Sequence, residues 1–160
     1  MKITLKDGSI KEVRKGISVL ELAEEISEGL ARNATCGKVN GEVRDLRYNI
    51  ENDAEVEILT FENSEEGKKA YWHTCSHVMA QAIKRIYGRE IKLAIGPAIE
   101  NGFYYDFDVE ENISSDDFEK IETEMKKIIK EDLPIEKYTL PRNEAIEFMK
   151  AQGENYKVEL

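Results

Sequence analysis

The chain predicts an α+β fold in two successive units, and three observations carry that reading. Apolar residues alternate with period two in short runs and recur at helical spacing in longer ones. The first stretch, residues 1–61, orders as strand, strand, helix, strand, strand, whereas residues 70–160 are richer in helix. Between them, residues 62–69 (Glu-Asn-Ser-Glu-Glu-Gly-Lys-Lys) contain no apolar side chain and read as a linker or a helix start.

Residues 3–5 alternate as a half-buried strand, and Asp7-Gly8 supplies a tight turn into a second strand through Ile10 and Val13. Gly16 breaks the pattern. Ser18-Val19-Leu20-Glu21 then spells a capping box ahead of Val19, Leu22, Ala23, Ile26 and Leu30, which share one helical face. Gly29 sits near the expected end of that helix. Residues 36–39 and 42–43 flank Asn40-Gly41, the strongest short hairpin signal, and residues 55–59 alternate as a last strand.

In the second unit, residues 70–87 read as a helix buried through Val78, Met79, Ala82, Ile83 and Ile86, with Gly88 placed to end it. Strand-like runs at 92–99 and 103–109 join through Glu100-Asn101-Gly102. Ser114-Ser115-Asp116-Asp117 opens a helix with the stripe Phe118, Ile121, Met125, Ile128 and Ile129, stopped by Leu133-Pro134. A short strand is expected at 135–140 and a helix at 141–152, capped by Gly153. Residues 156–160 alternate like a strand that stops midway, so the second unit is expected to be truncated.

Composition excludes several classes. The chain of 160 residues carries 23 Lys+Arg against 33 Asp+Glu, a formal charge of −10. Its longest uncharged apolar stretch, residues 93–99, is far short of the roughly 20 residues of a membrane span. No signal peptide follows Met1-Lys2, and two cysteines, Cys36 and Cys75, are too few for a disulfide scaffold. A cytoplasmic setting is expected. An acidic module does not grip nucleic acid tightly by itself, so any such role is local or belongs to a larger assembly.

The two histidines, His73 and His77, stand four residues apart on the expected helix, so both imidazoles share one face. Such a pair is half of a zinc site, half of a general-base constellation for hydrolysis, or two surface or capped-core histidines. Thr74 stands where a zinc protease needs glutamate. With two of the four ligands a structural zinc needs, the pair is a weak metal candidate. Cys75 lies on another face and reads as packing. Tyr104 and Tyr105 point to opposite sides of their strand, and Gly96-Pro97 marks a bulge or a close backbone approach by a ligand. Lys157, taken by itself, reads as a solvated lysine.

Three stretches carry a resemblance: His73-Thr74-Cys75-Ser76-His77 into Met79-Ala80-Gln81-Ala82, Ala94-Ile95-Gly96-Pro97 to Asn101-Gly102-Phe103-Tyr104-Tyr105-Asp106, and Gly153-Glu154-Asn155-Tyr156-Lys157. In this order and spacing they resemble the N-terminal region of bacterial-type threonyl-tRNA synthetases. The resemblance implies a ubiquitin-like β-grasp (TGS) domain over 1–61 and the first part of a tRNA-editing domain over 70–160. A pocket for threonine cannot strongly reject serine, because one methyl group is worth only about 1–3 kcal/mol, so such a family needs a second, hydrolytic site. The resemblance implies that His73, His77, Lys157 and Tyr105 are catalytic there and that Gly96 makes a backbone contact with substrate. His73 and Lys157 would position water or stabilise the ester oxygens, and His77 would orient its neighbours and the terminal ribose. The family completes the site with a CxxxH motif, which this sequence lacks.

No cofactor or metal is therefore expected in this chain; ATP, magnesium and zinc are implied for the family's aminoacylation core. The implied partner is the 3′ end of tRNA-Thr, bound weakly by this acidic segment, with no membrane and with homodimerisation through other domains. Two competing readings stand beside this one. An alanyl-type editing hydrolase shares the HxxxH helix but not the module at 1–61. A TGS-containing regulatory or ribosome-associated binding protein explains 1–61 and leaves the histidines idle.

Overall fold

A computed structural model describes residues 1–88, 91–108 and 113–158, with the side chains of Asn155 and Lys157 not described. It divides into two compact units, Met1–Trp72 and His73–Leu160.

The first unit contains β1 (Lys2–Leu5), β2 (Ile10–Glu12), β3 (Ile17–Ser18), α1 (Val19–Ile26), α2 (Glu28–Asn33), β4 (Ala34–Val39), β5 (Glu42–Arg44), β6 (Asn49–Ile50) and β7 (Ala54–Thr60). Five strands form one sheet in the order β2-β1-β7-β4-β5, with β3 and β6 paired separately. The central β1–β7 pair is parallel and the others antiparallel, which is the β-grasp arrangement. The hairpin turn is as expected: Asn40 (φ 50°) and Gly41 (φ 83°) both take the left-handed backbone that a tight turn between twisted strands needs. At the start of α1, Ser18 Oγ accepts from Glu21 N at 3.1 Å and Glu21 Oε2 accepts from Ser18 N at 2.8 Å, the complete capping box. Ile3, Ile17, Leu22 and Ile50 close the core.

The single helix expected through Leu30 is two. Ser27 is extended (φ −166°, ψ 146°), which ends α1, and its hydroxyl accepts from Leu30 N at 3.0 Å to start α2. A serine that can cap a new helix competes with continuing the old one.

The helix expected from residue 70 begins earlier: α3 runs Glu65–Tyr87, absorbing most of the apolar-free stretch 62–69. Ser64 Oγ accepts from Gly67 N at 2.9 Å, and a Cβ on Gly67 would lie 2.1 Å from the Thr60 carbonyl oxygen. That close approach is why glycine stands in the first turn.

The second unit holds the rest of α3, then β8 (Lys92–Leu93), β9 (Ala98–Ile99), β10 (Gly102–Phe103), β11 (Phe107–Asp108), α4 (Phe118–Glu131), α5 (Arg142–Ala151) and α6 (Asn155–Val158). Its core joins Ala80, Ala82 and Ile83 of α3 to Ile91, Leu93, Ile121 and Ile128. The two expected strands at 92–99 and 103–109 are interrupted. Leu93 pairs with Phe107 and Ile99 with Gly102, six steps on one side against five on the other. Ala94 N donates to the Asp106 carbonyl and Asp106 N to the Ile95 carbonyl, so the extra residue falls at Ala94-Ile95, just before Gly96-Pro97. Val109 lies outside the described residues.

Three further expectations are corrected. Phe118 and Ile129 of the expected α4 stripe are exposed; about 60° and 80° round the helix from Ile121, both lie to one side of the buried line through Ile121 and Ile128. Residues 135–140 form no strand: Ile135 and Tyr138 are largely exposed, and the Tyr138 ring meets Phe148 of α5 edge to face rather than a strand partner. Residues 155–158 make a helical turn rather than a strand, because a five-residue alternation does not distinguish the two without a pairing edge. Glu159 and Leu160 lie outside the described residues.

Candidate hydrolytic site

Helix α3 sets His73 and His77 one turn apart, and the two exposed rings meet with Nε2 of each 3.1 Å apart and their planes nearly perpendicular. An N–H···N contact of this kind needs one donor and one acceptor, so at least one ring is neutral while it persists. The Tyr105 ring lies 6.4 Å from that of His77, edge to face, and stacks on Phe107 at 5.1 Å. Burial, followed by the nearby charge of Glu154, pushes the Tyr105 hydroxyl up from its ordinary value. It therefore stays protonated near neutrality and can donate a hydrogen bond.

Gly96 faces the same ring. A Cβ at this position would lie 2.2 Å from Tyr105 Cδ2 and 2.3 Å from Cε2, so the missing side chain is what lets the ring lie on the backbone. In this structure the backbone at Gly96 is approached closely by the Tyr105 ring. The Gly96 carbonyl is also held: Ser76, fully buried on α3, reaches it with its hydroxyl at 3.1 Å and the His73 carbonyl at 2.7 Å. Ser76 joins the histidine helix to the hairpin, and sequence reasoning missed it. A small polar residue on the buried side of α3, three after His73, was the available signal.

A groove of about 480 Å³ runs beside this cluster, lined by His77, Ala80, Gln81, Lys84, Arg85, Leu93 and Tyr105. His73 and Gly96 are next to it rather than in its lining. Lys157 lies on α6, whose Tyr156 hydroxyl donates to Asp108 Oδ2 at 3.0 Å, tying that turn to β11. So His73, His77, Tyr105 and Gly96 come together, and the backbone of Lys157 belongs to a turn fastened to the same hairpin. Tyr104 is exposed on the other side. Glu154, paired with Lys84 of α3, was also missed; its partner is seventy positions away.

Among the described residues no three His, Cys, Asp or Glu side chains are grouped to hold a metal ion. A larger cavity, about 690 Å³, lies in the first unit beside Phe61, Tyr71 and Trp72, whose rings meet edge to face. Its lining offers one carboxylate, Glu62, and no histidine or lysine. Among the described residues no helix is long and apolar enough to cross a membrane.

Comparison with known proteins bears on both units. Residues 1–60 match the TGS domain, the span of the β-grasp sheet. Over all 160 residues the chain is 62% identical to the threonine–tRNA ligase of Acetivibrio thermocellus, covering 25% of it. The corresponding ligase of Caldanaerobacter subterraneus subsp. tengcongensis is 59% identical over the same 160 residues, 24% of its length. That of Desulforamulus reducens is 56% identical, with 25% covered. The chain spans about a quarter of the length of the threonine–tRNA ligases it matches. The match continues through the histidine helix, the Gly96–Tyr105 hairpin and α6, which favours the ligase reading over a protein that shares the TGS module alone.

Proposed function

We propose that this chain is part of an enzyme that joins threonine to tRNA-Thr with ATP, and that its second unit contributes to a site hydrolysing serine wrongly esterified to that tRNA. The observation that carries the hydrolytic reading is the His73–His77 contact at 3.1 Å beside the Tyr105 ring. Ester hydrolysis needs a base within hydrogen-bond reach of water, and a second group to hold that base in one tautomer. Two imidazoles sharing one proton meet both needs.

In this reading, His73 and Lys157 position water or stabilise the ester oxygens, and His77 orients its neighbours and the terminal ribose. Water adds to the ester carbonyl, the bond from the carbonyl carbon to the ribose oxygen breaks, and that oxygen leaves with a proton. The protonated Tyr105 hydroxyl is suited to donate to a developing oxyanion. Gly96, whose carbonyl is engaged by Ser76, bears on substrate through the ring that it seats.

The partner is the 3′ end of tRNA-Thr, bound weakly by a segment of charge −10. ATP, magnesium and zinc serve the aminoacylation core rather than this chain, dimerisation uses other domains, and the protein works in the cytoplasm without a membrane.

The test is His73→Ala in the whole ligase. Seryl-tRNA hydrolysis is expected to fall by about a hundredfold or more, within the range for loss of a general base. Hydrolysis at the unaltered rate would remove His73 from the reaction.

A further inference from the structure

Among the described residues Glu154 is the one charged side chain that is buried, 7% exposed. A carboxylate in such a place needs a partner, and Glu154 has the Lys84 ammonium of α3. Lys84 stands two turns beyond His77 on the same face and lines the groove that His77 and Tyr105 share. Glu154 in turn sits at the start of α6, just after Gly153, whose φ of 72° turns the chain out of α5.

Helix α6 is a single turn, too short to hold itself. It is fastened at Glu154 to α3 and at Tyr156 to Asp108 of β11. The charge of the same carboxylate raises the Tyr105 hydroxyl further, after burial has done the larger part.

We propose that the Lys84–Glu154 ion pair is a positioning device of the hydrolytic site, holding α6, and with it the backbone of Lys157, to the His77 face of α3. This rests on the hydrolytic reading given above and on the part of Lys157 in it. Neither residue touches the reacting atoms. Their effect is exerted through α6.

The experiment uses the whole ligase with Glu154→Gln, Lys84→Met, and the exchanged pair Lys84→Glu with Glu154→Lys. Two quantities are measured: hydrogen exchange of the peptide spanning 153–158 by mass spectrometry, and hydrolysis of seryl-tRNA-Thr. Each single variant is expected to speed exchange by about tenfold. Each is also expected to lower the hydrolytic kcat by about tenfold to a hundredfold, with KM within about twofold, since loss of position acts on the chemical step. The exchanged pair is expected to recover slow exchange and most of kcat, which separates pairing from a general folding defect.

Unchanged exchange in the single variants, or an exchanged pair no better than they are, overturns the role given to the ion pair and leaves the histidine reading standing. Faster exchange with hydrolysis at the full rate overturns the proposal through its premise, because α6 is then held by the pair and not used in the reaction.

Discussion

In the first unit, one five-stranded sheet and α1 close on Ile3, Ile17, Leu22 and Ile50, and long ladders such as β4–β7 carry the backbone. In the second, the described strand pairs are two residues long, and side-chain ties hold element to element: Ser76 to Gly96, Lys84 to Glu154, Arg85 to Glu131, Tyr156 to Asp108. Apolar burial is non-directional and tolerant of detail, whereas a hydrogen bond or ion pair fixes a distance and a direction. The first arrangement suits a scaffold. The second suits a site, where groups must stand within a few tenths of an ångström of their places.

The largest expected effect tests that contrast through the apolar residues themselves. Leu22→Ala in the first core is expected to cost about 2–5 kcal/mol, because the cavity it leaves has sheet on one side and helix on the other. Ile129→Ala, at a residue 65% exposed on α4, is expected to change stability by no more than about 0.5 kcal/mol. Urea unfolding read by Trp72, the sole tryptophan, reports the first substitution, and far-ultraviolet circular dichroism the second. An Ile129→Ala loss equal to that of Leu22→Ala would break the comparison.

The same contrast governs how much was legible. The capping box at Ser18, the Asn40-Gly41 turn and the period-two strands of the first unit are local signals, and the structure repeats them nearly residue for residue. The parallel pairing of β1 with β7 is not local, and it was reached only through the family resemblance. The split at Ser27 was missed because a serine in a helical stripe looks like any polar position until its hydroxyl is seen to cap. In the second unit the His73–His77 spacing is itself a geometric statement, so the pair could be found. For Ser76 the only local signal is a small polar residue on the buried side of α3, and Glu154 has none: their partners on other elements lie twenty and seventy residues away. The alternation at 156–160 reads as a strand although 155–158 is a helical turn, because pairing depends on what lies beside a segment, not on its own alternation.

Two glycine-to-alanine changes sharpen the comparison with a middling effect. Gly96→Ala forces a methyl group to within 2.2 Å of the Tyr105 ring, which must swing off the hairpin and away from His77. An overpacking cost of about 1–3 kcal/mol is expected, together with shifted Tyr105 ring resonances. Gly29→Ala in α2 meets nothing closer than Ser27 Oγ at 4.0 Å, and is expected to stabilise the first unit by about 0.4–1 kcal/mol through reduced freedom of the unfolded chain. Equal and opposite positions would thus separate a glycine that seats a ring from one that is merely tolerated. Unmoved Tyr105 resonances in Gly96→Ala would show that the ring has another place to rest.

The smallest effect lies in acid. Arg85 binds Glu131 through two nitrogens, at 2.6 and 2.8 Å, and this holds the Glu131 carboxyl below its ordinary 4.5. Lys127 first, and Arg85 after it, does the same for Glu124. In the first unit Glu21 is lowered chiefly by the Ser18 backbone N–H, with Arg14 contributing least. A depressed carboxylate stabilises the folded state above its ordinary value and ceases to do so as pH falls through the lower, folded one. Both units are therefore expected to weaken as pH drops below about 4.5, the window set by these downward shifts. Salt should tell them apart. At about 1 M, where screening acts over roughly 3 Å, the exposed Arg85 pairs lose most of their pull, while a backbone N–H aimed at Glu21 does not depend on a net charge. Carboxyl NMR titration of Glu131 is thus expected to move toward the ordinary value in high salt, and that of Glu21 to stay depressed. A Glu21 that relaxed as far as Glu131 would mean that Arg14, rather than the cap, holds it, and that the first unit also leans on charge.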